Sequence, residues 1–264
     1  TRDKIADAKM EITDGLKDDG TFIFNGDEPL LQERAKKITQ ERETFGLHPE
    51  NTIFAHSISG HRNHTEFTVE AWPDLTFSIP IMGEYNVVNA LAALLVGRKF
   101  HVKPEIMQKA LAHFQVTANR TQWLIGDVGE QILSDVYNAN PTAMKAVIHD
   151  FSEFTATGRH IAVLGDMLEL GEQSPALHAG LAEALDPKEV QVVYLYGSDM
   201  KALADALAAK YPADQLHYYP LDDKEQMTRD LQNDVNHDDM VLLKASHGLH
   251  LETVLSALVA GGRA

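Results

Sequence analysis

The sequence predicts an α/β protein in two parts, a mixed sheet with helices followed by a parallel sheet covered on both faces. Three features carry this reading. Beyond residue 121, apolar runs of strand length alternate regularly with segments of helical spacing, the pattern of parallel strands joined by crossover helices. Before it, Glu66 to Glu70 and Leu75 to Ile81 flank Trp72-Pro73-Asp74 as an antiparallel pair. Between the two parts, Thr117 to Thr121 reads as a linker.

In the first part, Ile5, Ala8, Ile12 and Leu16 mark one face of a helix from Asp3 to Leu16, and Lys9 sits on the flank of that stripe. After Gly20 come a strand, Thr21 to Phe24, and the turn chemistry of Asn25-Gly26-Asp27-Glu28-Pro29, which leads into a helix with Leu30, Leu31, Ala35 and Ile38. A short strand spans Thr52 to Ala55. The antiparallel pair follows, then an Ala- and Leu-rich helix from Tyr85 closed by Gly97, and a helix from Pro104 to Phe114. In the second part the strands are Ile132 to Asp135, Ile161 to Leu164, Val190 to Tyr196, a weak one near Tyr218, and Met240 to Leu243. Helices start at Pro141, capped by Asn140, and around His178 to Leu185, Asp199 to Ala209, Asp222 onward and Leu249 to Val259.

Composition narrows the function classes. At 264 residues, 44% hydrophobic and 23% charged, the chain has the make-up of a globular protein with a sizeable core. A formal charge of −16, from 39 acidic against 23 basic residues, argues against nucleic acid or anionic lipid as partners. It also requires local basic residues or a metal ion wherever a nucleotide is to bind. The absence of cysteine fits a reducing cytosol, and no apolar run approaches the ~20 residues of a bilayer span.

In an open parallel sheet, ligands sit beyond the carboxyl ends of the strands. Asp135, Tyr137, Asn138 and Asp166 would therefore share one edge. Asp135, Tyr137 and Asn138 have an ordinary reading as turn or cap chemistry, and Asp166 and Glu169 as a solvated acidic loop. An acid past a strand end, Asp166 or Glu169, could instead hold a cationic amine. His56, His61 and His64 lack the spacing and supporting ligands of a zinc site and read as a surface loop, His178 reads as structural, and His247 and His250 read as solvated.

The stretches SDVYNANPTAM (134–144) and LGDMLELGE (164–172) resemble signature segments of the Mur ligase family. The resemblance runs along essentially the whole chain. It implies that residues 1–118 are the latter part of a central ATP-binding domain and 119–264 a C-terminal Rossmann-like domain that binds an incoming dipeptide. It also implies an ATP-dependent amide ligase of peptidoglycan synthesis, a cytoplasmic monomer. Such an enzyme would join D-alanyl-D-alanine to a UDP-N-acetylmuramoyl-tripeptide through an acyl phosphate, with Mg2+ as metal. The AK of IADAKMEI is similar to the segment holding a carbamylated lysine, so Lys9 is expected to be catalytic and to hold metal through carbamate oxygens, although a lysine beside an apolar stripe ordinarily snorkels to water. GEYNVVNA resembles the family's GxHNxxN pattern, with Tyr85 in place of His. It makes Asn86 and Asn89 nucleotide contacts, with Arg120, Asp135, Tyr137 and Asn138 beside them. Lys244-Ala245-Ser246 looks like the family's Lys-Gly-Ser, which points to Asp166, Lys244 and Ser246 as dipeptide-binding groups. Ala245 and His247 stand where Gly and Arg are commoner.

Two motifs are missing from these residues. Without a GxGxxG after any strand, a dinucleotide-dependent dehydrogenase loses its main support. Without a GxxxxGK[ST], the phosphate cradle of the family is not in this chain, and the chain alone is expected to be an inactive fragment. The alternatives are a related Mur or folylpolyglutamate-type ligase with another amine acceptor, or a non-catalytic nucleotide-binding module.

Overall fold

The structure, a computed structural model, describes residues 2–115 and 121–259, and Arg120 lies outside them. The chain divides into two compact units, 1–116 and 117–264, each with its own sheet.

In the first unit β1 (Thr21–Asn25), β2 (Glu41–Gly46), β3 (Ile53–Gly60), β4 (Thr65–Val69) and β5 (Trp72–Ile79) lie side by side in chain order. The first three run parallel; β4 and β5 add antiparallel, as expected around Trp72. Phe67 faces Phe77 across that pair, and their rings stack at 5.8 Å. The helices are α1 (Arg2–Met10), α2 (Pro29–Ala35), α3 (Glu84–Lys99) and α4 (Pro104–Ala112). On α3, Val87, Leu91, Leu94 and Leu95 are spaced as a single helical face and are fully buried in the core with Phe67, Phe77 and Ile79.

Three sequence expectations change here. The N-terminal helix stops at Met10 and continues only as a 3-10 turn to Thr13; Ile5 and Ile12, expected on a buried face, are 61% and 76% exposed. Gly97 does not end its helix. It lies inside α3, where a Cβ would come within 2.4 Å of the Met107 sulfur on α4, so its role is close helix approach. Strand β2 was hidden by its polar sequence, ERETFG. Its backbone ladder with β1 makes it a strand, and Lys99 at the end of α3 reaches both Glu41 and Glu43 on one of its faces.

The second unit holds β6 (Gln122–Ile125), β7 (Gln131–Asp135), β8 (His160–Gly165), β9 (Val192–Tyr196), β10 (Leu216–Tyr219) and β11 (Met240–Lys244). The order across the sheet is β10-β9-β8-β11-β7-β6, parallel throughout except for β6 at one edge. The expected alternation with helices is met by α5 (Pro141–Ser152), α6 (Ser174–Ala179), α7 (Met200–Leu207), α8 (Lys224–Asp234) and α9 (Glu252–Val259). Asn140 caps α5 by accepting from the Ala143 amide at 2.9 Å, with Pro141 at the first helical position. The helix expected at His178 to Leu185 begins earlier and is α6 followed by a 3-10 turn. The antiparallel edge strand β6 begins immediately after the stretch read as a linker, and the sequence reading missed it.

At the amino ends of these strands, Arg159 Nη2 meets Asp239 Oδ2 at 2.7 Å and Arg159 Nη1 meets Asp234 Oδ1 at 2.8 Å. The backbone amides of Arg159 and Asn236 also donate to the Asp239 carboxylate, at 2.8 and 2.9 Å. Burial pushes the Asp239 carboxyl up, but these charged and amide donors outweigh it and hold the carboxyl below its ordinary range. A depressed folded-state value contributes stability above the unfolded value of about 4, and that contribution is lost as pH falls through the folded value. Asp239→Asn is therefore expected to lower unfolding free energy at pH 7 by about 2–3 kcal/mol. This is below the usual cost of breaking a buried pair, because Arg159 keeps 33% of its side-chain surface in water. Urea denaturation at pH 7 and pH 3 checks this, since the gap between variant and parent must narrow in acid.

Candidate functional site at the carboxyl edge of the second sheet

Strands β7, β8 and β11 end side by side. Lys244, the last residue of β11, pairs in register with Asp135 on β7 and with Leu164 on β8. Its side chain is buried, and its ammonium bonds the Asp135 Oδ2 and, at 2.9 Å, the Asn138 carbonyl. The other Asp135 oxygen accepts from the Thr121 amide at 3.2 Å. Tyr137 and Asn138 are exposed, and the Tyr137 ring stacks on His247 with centroids 5.7 Å apart.

Past β8, Asp166 is almost fully buried. Its two oxygens accept from the amides of Met200 at 2.8 Å and Asp199 at 3.3 Å, where α7 begins. Burial pushes its carboxyl above the ordinary range, and the two amides pull the other way. Gly197, with φ at +126°, passes so close that a Cβ would lie 2.2 Å from this carboxylate. Ser246 is buried as well; its amide donates to the Asp166 carbonyl at 3.1 Å and its hydroxyl accepts from the Leu168 amide at 2.9 Å. Leu168 and Glu169 are exposed, and Glu169 takes a left-handed φ of +65°.

His178, expected to be structural, is fully buried on α6. Nε2 accepts the Met167 amide at 2.9 Å while Nδ1 lies 2.7 Å from the Ser174 carbonyl, which assigns the neutral tautomer with its proton on Nδ1. The 4.0 Å approach of Nε2 to Asp166 is then no ion pair, because Nε2 has no proton to offer.

The sequence-derived residues thus fall into two groups. Asp135, Asp166, Lys244 and Ser246 come together at one edge, but inside it, bonded to backbone and to one another. Tyr137, Asn138 and Glu169 face outward from the same loops. In the first unit, Lys9 is exposed on α1, beside a stripe whose Ile5 and Ile12 are themselves largely exposed. Asn86 Nδ2 donates to the Met82 carbonyl at 2.7 Å near the start of α3, and Asn89 is exposed one turn on, so its amide is available to a ligand instead of being buried among apolar neighbours. His56 lies in β3, not in a loop, and His61 and His64 stack at 4.3 Å. Among the described residues no group of three His, Asp or Glu side chains could hold a metal ion unaided. His247 and His250 are exposed as expected. The sequence reading missed Gly197 and the Asp199 and Met200 amides, whose contact with Asp166 spans more than thirty residues. The left-handed turn Tyr196-Gly197-Ser198 was the available sign.

Removing the His178 acceptor leaves the Met167 amide buried and unpaired. His178→Ala is expected to cost about 3 kcal/mol in unfolding free energy. His178→Gln, which can place an oxygen near Nε2, should cost clearly less. Equal losses in urea denaturation would remove the hydrogen bond as the cause.

Both units match known families. The Mur ligase middle domain matches residues 1–97, and the Mur ligase glutamate ligase domain matches residues 119–247. The UDP-N-acetylmuramoyl-tripeptide–D-alanyl-D-alanine ligase of Bacillus subtilis (strain 168) is 34% identical over 259 residues, 98% of this chain and 55% of that protein. The enzyme of the same name from Escherichia coli (strain K12) is 28% identical over 205 residues, 76% of this chain and 45% of that protein. Among solved structures, the MurF ligase from Thermotoga maritima in complex with ADP superimposes with a TM-score of 0.80 at 25% identity, covering 99% of this chain and 58% of that one. The chain spans about half the length of the curated relatives it matches. With both of its units matched in this way, the chain belongs to the Mur ligase family.

Proposed function

We propose that the protein to which this chain belongs is an ATP-dependent ligase that adds D-alanyl-D-alanine to a UDP-N-acetylmuramoyl-tripeptide in the cytoplasm. The observation that carries this is 34% identity to a protein of that name over 98% of the chain. The reaction consumes ATP by transferring its terminal phosphoryl group to the tripeptide carboxylate, giving an acyl phosphate and ADP. The dipeptide amine then attacks the acyl carbon, phosphate departs with the bonding pair, and the amine loses a proton. Positioning and charge neutralisation supply most of the acceleration in such a reaction.

Within this reading, residues 1–118 belong to the ATP-binding domain and 119–264 to the dipeptide-binding one. Asn86, Asn89 and Arg120 contact the nucleotide, joined by the exposed groups of the loop after Asp135, Tyr137 and Asn138. The loop after β8, held by Asp166 and Ser246, faces the incoming dipeptide, with Lys244 at the neighbouring strand end. Lys9, exposed on α1, would hold metal only as a carbamate, whose two oxygens suit Mg2+. Mg2+ held there would neutralise phosphate charge.

The decisive assay follows phosphate release from Mg-ATP by the full-length protein with tripeptide nucleotide alone, D-alanyl-D-alanine alone, or both. Release that needs both, with a product heavier by the dipeptide, is the expected outcome; release with a different amine acceptor would reassign the substrate. Lys9→Arg keeps a cation but cannot form a stable carbamate, so it should lose at least a hundredfold in turnover, as Lys9→Ala does. An active Lys9→Arg enzyme would show that charge alone suffices.

A further inference from the structure

Strand β11 is the last strand in the sequence, yet it is inserted between β7 and β8. Its end therefore touches the loop that follows each neighbour. Lys244 is 1% exposed and turns to the β7 side, where its ammonium meets the Asp135 carboxylate and the Asn138 carbonyl. Two residues on, Ser246 turns to the β8 side and holds the loop there at two successive points, the Asp166 carbonyl and the Leu168 amide. His178 takes the Met167 amide between them, so three consecutive residues of that loop are pinned. Ala245, fully buried, fits against Gly165, where a Cβ would stand 2.7 Å from its own.

We infer that Lys244 and Ser246 are positioning residues: the end of β11 braces the loops after β7 and β8 into one frame, and ligands meet the exposed groups those loops carry. A buried ammonium already neutralised by a carboxylate offers a ligand carboxylate little charge, and exposing it would leave the partly buried Asp135 without its cation. The exposed faces of the two loops are Tyr137 and Asn138 on one side and Leu168 and Glu169 on the other. The competing assignment is that Lys244 and Ser246 touch the dipeptide carboxylate themselves. Only this comparison of roles rests on the proposed ligase function; the bracing does not.

The test uses the full-length protein and two readouts. The first is backbone amide exchange without substrates. Lys244→Met is expected to speed exchange at least tenfold in peptides covering 136–140 and to leave 167–169 unchanged. Ser246→Ala should do the reverse, and Ser246→Thr should restore protection. Because Lys244→Met strands a buried carboxylate and could fail to fold, the double variant Lys244→Met with Asp135→Asn is measured too, with the same loosening at 136–140 expected. The second readout is the split of apparent KM. Lys244→Met should raise the KM for Mg-ATP several-fold more than that for D-alanyl-D-alanine, the opposite of what a direct carboxylate contact gives. Unchanged exchange at 136–140 in both Lys244 variants, or at 167–169 in Ser246→Ala, overturns the bracing. A KM change confined to the dipeptide in Lys244→Met overturns it as well. If wild type shows no turnover, the ligase reading fails while the exchange result still decides the inference.

Discussion

The buried contact between Lys244 and Asp135 is the constraint on which the carboxyl edge of the second sheet depends. Ion pairs of this kind add little net stability, because two charges leave water to form them. What this one contributes is register. A lysine at the end of a central strand has a partner only if β11 sits beside β7 with Lys244 opposite Asp135, as observed. A one-residue slip would turn the ammonium to the other face of the sheet and leave two charges buried apart. Because β11 lies between β7 and β8, its register fixes the loop after β7 and, through Ser246, the loop after β8.

Buried acids at the two ends of this sheet are handled by different means. At the amino end Asp239 has a guanidinium and two backbone amides, and its carboxyl is held below the ordinary range. At the carboxyl end Asp166 has two amides at the start of α7 and, among the described residues, no bonded cation, since His178 is neutral, and burial pushes its carboxyl upward. Asp239 ties two loops together by charge. Asp166 joins the β8 loop to α7 through dipoles, an arrangement that requires close backbone approach and hence Gly197.

Much of the fold was legible in the sequence because apolar periodicity reports burial directly, and the second unit's alternation gave nearly every strand and helix. What escaped were β2, four of whose six residues are polar, and the four-residue edge strand β6, too short to show a period. The site was legible in part. The sequence placed Asp135 and Asp166 at one edge because strand ends set that position, and the family resemblance added Lys244. It could not tell which of them point inward, because burial there depends on β11 lying between β7 and β8, and strand order is not written in local pattern. The N-terminal helix went the other way: four apolar residues at helical spacing suggested a buried face, but Ile5 and Ile12 are largely exposed and Lys9 with them.

The same distinction bears on what the signature LGDMLELGE means physically. Gly165 is small because Ala245 lies against it, Asp166 caps α7, and Met167 is buried with its amide on His178. These residues are required by packing at the sheet edge whatever ligand the loop meets. Only from Leu168 onward do side chains reach solvent, carried by a loop whose course is set by left-handed φ values at Glu169 and Gly171. A motif of this kind identifies a frame more securely than it identifies a substrate. Ligand contact is left to the few outward groups that the frame presents, and changing those alone leaves the packed edge intact.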